Sequence, residues 1–412
     1  MERGNPTGYY AVRAVLRRRL AEPAPARVQL LTGPRQVGKT TLLLELGKEW
    51  GEHAVYVAAD APEAGLPGWW ETQWQQATRL ARDARALLLI DEIQYLSDWS
   101  RLLKAETDRV RRQRVPLHVV VSGSAALRLG AGTRETMAGR FERLVLTHWS
   151  ARDLAQAFDL SQQEATDSVV RLGGFPGGLA FRDDPARWRA YIRDSITEPA
   201  IGRDLLALQA IRKPALLRQL FAVGVGHATE IVALHKMAGL LTERGALMTV
   251  AHYLELLGEA YLVAALHKFS AREVRRRASP PKLVPLNNAF LTSAASGHIG
   301  EPVPQSERQG RLIENACIAF AINRGQTTHY WRQEPLEVDA VLDGTWGKWA
   351  LEIKSAPYAT RELGGLLEFV RCFRGYRPLV ICDEADTETA RRAGIPGLSW
   401  RQFLWSGVEG VM

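Results

Sequence analysis

The chain has 412 residues and a formal net charge of +8, and this length predicts two to three domains of roughly 150 residues each. Hydrophobic residues make up 46% of the chain and charged residues 24%, a balance that excludes a largely disordered protein. Three scattered cysteines exclude a disulfide framework and a cysteine-based zinc site. The excess of basic residues favours a polyanionic partner.

The termini and apolar runs predict neither a secretion signal nor a membrane span. Residues 1–20 carry several arginines and no apolar core. The longest apolar runs, Ala86–Ile90 and Ala260–Leu266, are far shorter than the ~20 residues that cross a bilayer. We therefore expect a soluble, cytoplasmic protein in a reducing compartment.

The pattern of apolar segments divides the chain into four predicted parts. Residues 1–150 alternate short apolar strands with helical segments, which predicts an α/β core with a parallel sheet. Residues 151–205 read as helical with a glycine-rich turn at 173–178, and residues 206–280 as helical with a basic end. Residues 281–412 return to mixed helix and strand, which predicts a separate C-terminal α/β domain.

A phosphate-binding loop is predicted between the strand Val28–Thr32 and the helix Thr40–Trp50. The segment matches G-x-x-x-x-G-K-[ST], in which glycines let backbone N–H groups surround phosphate oxygens. We expect Lys39 to reach the β- and γ-phosphates of ATP and the Thr40 hydroxyl to bind Mg²⁺. The predicted cofactor-binding residues are Gly33, Pro34, Arg35, Gln36, Val37, Gly38, Lys39, Thr40 and Thr41.

Two carboxylates follow the apolar strand Ala86–Ile90, at the edge of the sheet where ligands bind in α/β folds. We expect Asp91 to hold the Mg²⁺ and Glu92 to activate the attacking water, so the site should hydrolyse ATP. A simple acidic helix cap is the structural alternative.

Two further residues are candidates for the same reaction. Ser124 follows the strand Leu117–Ser122 and is placed to sense the γ-phosphate, while Arg140 is a candidate arginine finger. A solvated surface arginine is the alternative for Arg140, and a finger acting on a neighbour's nucleotide requires an oligomer.

These motifs, in this order, resemble those of the prokaryotic AAA-type P-loop ATPases that carry a C-terminal domain of unknown function. The matching segments are Gly33–Leu42, Ile90–Gln94, Ser122–Ser124 and Met137–Arg140. The resemblance implies ATP and Mg²⁺ as cofactors, a helical lid and a winged helix after the core. We also expect a homo-oligomer, with a hexameric ring as one form.

A helix-turn-helix is predicted within Ala222–Val263, where two amphipathic segments flank a short stretch with glycines. In a DNA-binding winged helix, the second helix meets base edges and basic residues hold phosphates. The candidate DNA-binding residues are His252, Lys268, Arg272, Arg275, Arg276 and Arg277. The alternative is a winged helix that serves only for packing.

The C-terminal part contains an acidic residue, then Asp339, then Glu352-x-Lys354, an order that resembles the PD-(D/E)XK nuclease pattern. We expect Glu314, Asp339 and Glu352 to hold Mg²⁺ and Lys354 to polarise water or phosphate. A solvated strand face with a cross-strand ion pair is the alternative.

Three functions fit these motifs: an ATP-driven, DNA-associated motor or remodeller with a nuclease-like tail, an ATP-gated signalling switch that binds a protein partner, and a nucleotide-binding scaffold. The first is the leading hypothesis. DNA stimulation of ATP turnover distinguishes it from the switch.

Overall fold

The computed structural model describes residues 7–124, 137–205, 211–241, 247–270, 279–294 and 305–411. Within these residues the chain forms two compact units, one comprising 7–124 and 137–147 and the other extending from residue 148 onwards. No helix of the described residues is both long and apolar enough to span a membrane.

The first unit is an α/β domain. Its helices are α1 (Tyr9–Leu20), α2 (Lys39–Trp50), α3 (Trp69–Leu80) and α4 (Trp99–Arg112), with short 3₁₀ turns at Gly51–His53, Pro62–Gly65 and Ile93–Tyr95. Its strands are β1 (Val28–Gly33), β2 (Ala54–Ala58), β3 (Ala86–Asp91), β4 (Leu117–Ser124) and β5 (Phe141–Val145). The strands form one sheet of order β2-β3-β4-β1-β5 in which each neighbouring pair is parallel.

The sheet is buried because its central strands are apolar on both faces. Every residue of β1, β3 and β4 is buried, as expected for a parallel sheet that has helices on each side. Parallel strands end at the same edge, so Gly33, Asp91 and Ser124 are brought to one side of the sheet. The fold therefore places the phosphate loop and the predicted carboxylates at a common edge.

The second unit begins with helices and a small hairpin. Its helices up to residue 294 are α5 (Ala151–Phe158), α6 (Gln162–Leu172), α7 (Pro176–Leu179), α8 (Pro185–Tyr191), α9 (Pro214–Gly226), α10 (Leu234–Leu240), α11 (Leu247–Glu259) and α12 (Asn288–Ala294). After α8 the chain continues in π-helical turns at Ile192–Thr197 and Ala200–Leu205. Strands β6 (Val263–Leu266) and β7 (Lys282–Pro285) pair antiparallel, and Ile231 bridges to Lys282.

The rest of the second unit is a mixed sheet with helices. Helices α13 (Gln305–Asn323), α14 (Gly364–Cys372), α15 (Thr387–Arg392) and α16 (Trp400–Ser406) accompany 3₁₀ turns at Thr360–Leu363, Glu384–Asp386 and Gly407–Val411. Strands β8 (Thr327–Gln333), β9 (Leu336–Gly344), β10 (Gly347–Ile353), β11 (Arg377–Cys382) and β12 (Gly397–Ser399) are ordered β12-β11-β10-β9-β8. The pairs β8–β9 and β9–β10 are antiparallel, whereas β10–β11 and β11–β12 are parallel.

Three of the four predicted parts share one hydrophobic core. Val170 from the predicted lid, Leu266 and Val284 from the hairpin, and Leu351 from the C-terminal sheet belong to the same cluster of buried side chains. The predicted boundary at residue 280 falls between β6 and β7, which are hydrogen-bonded to each other. Shared packing explains why residues 148 onwards form a single compact unit.

Candidate nucleotide site and C-terminal ionic cluster

The phosphate loop has the backbone that its motif requires. Gln36 and Gly38 lie at φ 58° and 92°, and α2 begins directly after them at Lys39. A Cβ on Gly33 would lie 1.9 Å from the carbonyl oxygen of Leu146, so only glycine fits beside this segment. The buried Lys39 ammonium donates to the carbonyl oxygens of Gly33 (3.2 Å) and Pro34 (2.8 Å). The loop therefore points a cation and the N-terminus of α2 into the same space.

The carboxylate of Asp91 is held by neutral donors. The Tyr56 hydroxyl, from β2, donates to Asp91 Oδ2 at 3.1 Å, and the Ser122 hydroxyl, from β4, makes a close hydrogen bond to Asp91 Oδ1. The backbone N–H of Glu92 also donates to Asp91 Oδ1 (3.1 Å) and to Ser122 Oγ (3.2 Å). Burial and the Asp91 carboxylate raise the pKa of Tyr56, so its hydroxyl remains a donor. These contacts fix the carboxylate without neutralising its charge.

Glu92 has an uncommon backbone conformation, with φ at 52°. Its carboxylate accepts a close hydrogen bond from the Gln94 side-chain amide. Left-handed non-glycine residues are frequent at functional sites, where the surrounding structure holds them in place. This turn sets Glu92 at the carboxyl end of β3 with its side chain oriented by Gln94.

The structure places Ser124 next to the phosphate loop. In the pairing of β4 with β1, Ser124 is in register with Gly33. Its hydroxyl is buried and has no hydrogen-bond partner among the described residues. An orphaned hydroxyl at this edge is consistent with a polar ligand, and the predicted role of Ser124 as a γ-phosphate sensor stays a prediction.

These residues fit ATP and Mg²⁺. Lys39 and the loop N–H groups would hold the phosphates, and the exposed Thr40 hydroxyl and Asp91 would hold the metal, which neutralises phosphate charge when bound. The oxygen ligands present are those that Mg²⁺ prefers, and phosphate oxygens would complete its shell. Arg35, within the phosphate loop, is partly exposed, and Thr41, in the first turn of α2, is exposed.

Arg140 lies at the opposite edge of the sheet. Its carbonyl accepts from the N–H of Val28, at the start of β1, five residues before the phosphate loop. At ~3.3 Å per residue that is roughly 16 Å away from Gly33. The Arg140 guanidinium forms a two-point ion pair with Asp108 on α4 (2.7 and 3.2 Å) and lowers the pKa of that carboxyl. Arg140 therefore does not reach its own nucleotide site, and a finger role requires a neighbouring subunit.

The predicted nuclease residues lie close together in the second unit, but around a lysine that sequence reasoning did not include. Lys282, on β7, is 1% exposed, and its ammonium contacts Glu314 (2.9 Å), Asp339 (3.3 Å) and Glu337 (3.7 Å). The second oxygen of Asp339 accepts from the N–H of Ile353 at 2.8 Å. We call Lys282, Glu314, Glu337 and Asp339, with Glu352 and Lys354, the ionic cluster.

Glu352 and Lys354 form the other half of the ionic cluster. Their side chains are 3.0 Å apart, and Lys354 also lies 4.0 Å from Glu362. Burial, followed by repulsion from Asp339, raises the pKa of Glu352 to about 8. Its second oxygen is buried without a hydrogen-bond partner among the described residues.

The prediction that Glu314, Asp339 and Glu352 bind Mg²⁺ gains no support from this arrangement and stays a prediction. Among the described residues, no group of three or more His, Cys, Asp or Glu side chains could hold a metal ion. The reason is that the Lys282 ammonium already lies between Glu314 and Asp339, where it supplies the positive charge that three neighbouring carboxylates require. This finding does not concern Asp91, where phosphate oxygens would supply further ligands.

Two of the candidate DNA-binding residues can be placed. His252 is exposed on α11, and Lys268 is half-buried beside Tyr330, to which it is bridged. Arg272, Arg275, Arg276 and Arg277 lie outside the described residues.

Sequence reasoning missed the contacts made by Tyr56, Ser122 and Lys282. The sequence gives no signal for the Tyr56 contact, because an aromatic residue in an apolar strand usually packs in a core. Lys282 gave the clearest available signal, because a lysine between prolines and strand-forming residues in Pro281-Lys-Leu-Val-Pro285 is costly to bury unless carboxylates pair with it.

Comparison with protein families finds matches to two segments of the chain. Residues 25–155 match a family model described as an AAA domain, and residues 163–298 match one described as a domain of unknown function (DUF8612). Residues 25–155, with their parallel sheet and phosphate loop, are therefore similar to AAA domains. Residues 299–411, which include most of the ionic cluster, lie beyond the second match.

Similar proteins extend over most of the chain. Uncharacterised proteins from Mycobacterium bovis and Mycobacterium tuberculosis are each 27% identical over 366 residues, which is 85% of this chain and 75% of theirs. Among solved structures, AMPPCP-bound DnaA from Aquifex aeolicus matches 60% of this chain and 86% of its own, at 14% identity and a TM-score of 0.32. ORC1 from Aeropyrum pernix in complex with DNA matches 70% and 92%, at 15% identity and a TM-score of 0.30.

Proposed function

We propose that this chain binds ATP with Mg²⁺ and hydrolyses ATP in its AAA-type domain. The observation that carries the proposal is the position of Asp91 and Glu92 relative to the phosphate loop. Asp91 ends β3 and Glu92 follows it, and only β4 separates β3 from β1 and its loop. In this arrangement a carboxylate held by neutral donors faces the same edge as Lys39, and a second carboxylate follows it.

Each residue has a separate task in the proposed reaction. Lys39 and the loop N–H groups bind and orient the phosphates, while Thr40 and Asp91 hold Mg²⁺. Glu92 accepts a proton from the attacking water, and Gln94 orients its carboxylate. Ser124 contacts the γ-phosphate, which is the group lost on hydrolysis.

Two substitutions separate binding from turnover. Lys39→Ala should abolish ATP binding, because it removes the ammonium that meets the phosphates. Glu92→Gln should keep binding and lower kcat by about 10²–10⁴-fold, the usual contribution of a general base. Glu71→Gln, an exposed carboxylate on α3, is the matched control and should behave like wild type. Unchanged kcat in Glu92→Gln would contradict the assignment of Glu92 as the base.

We further propose that ATP turnover is coupled to DNA, in a motor or remodeller that assembles as a homo-oligomer. Helices α9, α10 and α11 are followed by the β6–β7 hairpin, an element order that supports a winged helix with His252 on the exposed side of its last helix. The net charge of +8 is also suited to a polyanion.

Duplex, single-stranded and branched DNA should each be added to the ATPase assay. Stimulation by DNA supports the motor, whereas turnover that ignores DNA favours the signalling switch with a protein partner. Replacing Arg275, Arg276 and Arg277 by alanine should flatten the salt dependence of DNA binding, by about 0.9 in log–log slope for each lost duplex phosphate contact.

Metal-dependent DNA cleavage is not part of the proposed function. Of the residues that would perform it, Glu314 and Asp339 are paired with Lys282, and Glu352 is paired with Lys354. The ionic cluster is instead a set of ion pairs in the second unit.

A further inference from the structure

The second unit contains an open cavity of about 510 Å³ whose wall is rich in arginine. It is formed by the C-terminal end of α6, by α8, and by the N-terminal ends of α13 and α16, over a floor that includes Val170 and Leu312. Its volume lies within the range of ligand pockets, roughly 300–1,000 Å³. None of the residues that line the cavity belongs to the nucleotide site or to the ionic cluster.

The charges in the wall are unbalanced. Five arginines line the cavity, whereas Asp167 is the one carboxylate among the lining residues that the structure describes. Arg401 already has partners in the wall, because it contacts Asp167 at 3.1 Å and stacks over Trp400 at 4.1 Å. The other arginines are Arg171, Arg182, Arg189 and Arg308. An anion is therefore the ligand that this wall favours electrostatically.

Two of these arginines have no acidic partner among the described residues. Arg171, at the end of α6, and Arg308, in the first turn of α13, are exposed and form no ion pair with any described residue. Neutral donors accompany them: Gln305 and Gln309 line the cavity, and the Thr292 hydroxyl has no hydrogen-bond partner in the described parts of the chain. Guanidinium groups with nearby amides and hydroxyls are typical of sites that bind phosphate oxygens.

The size of the cavity favours more than a single inorganic anion. The large aromatic side chains in the wall, Trp188 and Trp400, are 2% and 3% exposed and so offer no free face for stacking a base. Recognition must therefore come from charge and hydrogen bonds. Arginine donates to two phosphate oxygens at once, which suits it to a chain of phosphates.

We propose that this cavity binds phosphate groups, from either a nucleotide or a single strand of nucleic acid, through Arg171 and Arg308. The site is independent of ATP hydrolysis. Binding of a nucleic-acid strand here rests on the proposed association with DNA, whereas binding of a nucleotide does not.

The test uses the full chain with Lys39→Ala, so that nucleotide bound at the phosphate loop does not contribute. Binding of a labelled 12-nucleotide single strand and of labelled ADP is measured between 50 and 200 mM salt. Arg171→Ala/Arg308→Ala is compared with Arg361→Ala/Arg374→Ala, a pair of exposed arginines of the same unit that gives the same change in charge. Circular dichroism checks that both variants fold.

The cavity variant should bind one of the two ligands at least tenfold more weakly than the control variant at 100 mM salt. With the single strand, the slope of log affinity against log salt should fall by about 1.4, because each phosphate contact contributes about 0.7. Loss with the strand alone identifies nucleic acid as the source of the phosphates, and loss with ADP alone identifies a nucleotide.

Three results would overturn the proposal. They are no binding of either ligand, equal affinities in the two variants, or displacement of the labelled ligand by polyglutamate as effectively as by unlabelled strand at the same concentration of negative charge. DNA binding that persists equally in both variants would leave the proposed DNA association intact and exclude the cavity. Loss of DNA stimulation of ATP turnover in the Arg275–Arg277 variant, with ligand binding at the cavity unchanged, would show that the cavity acts independently of those three arginines.

Discussion

Lys282→Met is the sharpest test of the ionic cluster, because it removes a buried charge with little change in side-chain length. Lys282 is 1% exposed and lies 2.9 Å from Glu314 and 3.3 Å from Asp339. At an effective dielectric constant of about 20, each such contact provides about 5–6 kcal/mol of attraction, most of which offsets the cost of burying the charges. Removing the lysine alone leaves three half-buried carboxylates without their cation, which should cost up to about 3–5 kcal/mol, the range for breaking a buried ion pair.

Hydrogen exchange of the β9 and β10 amides measures this loss within the second unit, whatever the stability of the first. The loss should be smaller at pH 5.5 than at pH 7.5. Burial raises the pKa values of Glu314 and Glu337, so these groups take up protons in the folded variant as the pH falls. Acids whose folded pKa is raised lose stability as the pH increases, and this sets the sign of the effect.

Mn²⁺ should then stabilise the variant, because a divalent cation can replace the missing ammonium. At a concentration of 100 times Kd the gain is about 2.7 kcal/mol. Wild type, measured without nucleotide, should not gain this stability in β9 and β10. Lys348→Met is the control, since Lys348 is half exposed, lies 3.8 Å from Asp343 and should contribute less than about 1 kcal/mol. A Lys282→Met protein as stable as wild type at pH 7.5, or equal stabilisation of both proteins by Mn²⁺, would refute the reasoning.

The remaining predictions concern the first unit and one buried histidine. Tyr56→Phe removes a hydrogen bond that orients Asp91, and should lower the apparent affinity for Mg²⁺ in ATP turnover by about 10–100-fold. Titration of kcat/KM with Mg²⁺ measures this affinity, and an unchanged titration would exclude that role. Mixing Arg140→Ala subunits with Lys39→Ala subunits should restore some turnover if the arginine acts on a neighbour, and sedimentation that shows only monomers with a non-hydrolysable ATP analogue would contradict it. Burial lowers the pKa of His148 from 6.5 to about 4. A base whose folded pKa is lowered costs stability as the pH falls from about 6.5 towards 4, here by up to about 3 kcal/mol, and His148→Gln should reduce this slope in hydrogen exchange.

Much of the first unit could be predicted because its signals are local. The predicted strands at 28–32, 86–90 and 117–122 agree with β1, β3 and β4 within two residues. The phosphate loop needs only glycines, a lysine and a hydroxyl in consecutive positions, all of which are readable from the chain. Strand β5 was missed, since Phe141–Val145 includes two charged residues and lies at the edge of the sheet.

The contacts that decide chemistry were less predictable because they join distant parts of the chain. Ser122 and Ser124 are both hydroxyl residues at the end of one strand, and only the sheet shows which of them meets Asp91. The ionic cluster depends on Lys282, which is 57 residues from Asp339 in sequence. No spacing rule links a lysine on one hairpin to a carboxylate on another sheet.

The two carboxylate sites of this chain differ in how their negative charge is compensated, and that difference separates their chemistry. Asp91 is bound by a tyrosine, a serine and a backbone N–H, all neutral donors, and it forms no ion pair with any residue that the structure describes. Its charge is therefore available to a cation that arrives with a nucleotide. Asp339 accepts a backbone N–H as well, but its other oxygen lies against the Lys282 ammonium. A metal ion would have to displace that lysine from a buried position against three carboxylates, and metal-dependent chemistry is accordingly expected at the sheet edge of the first unit and not in the second.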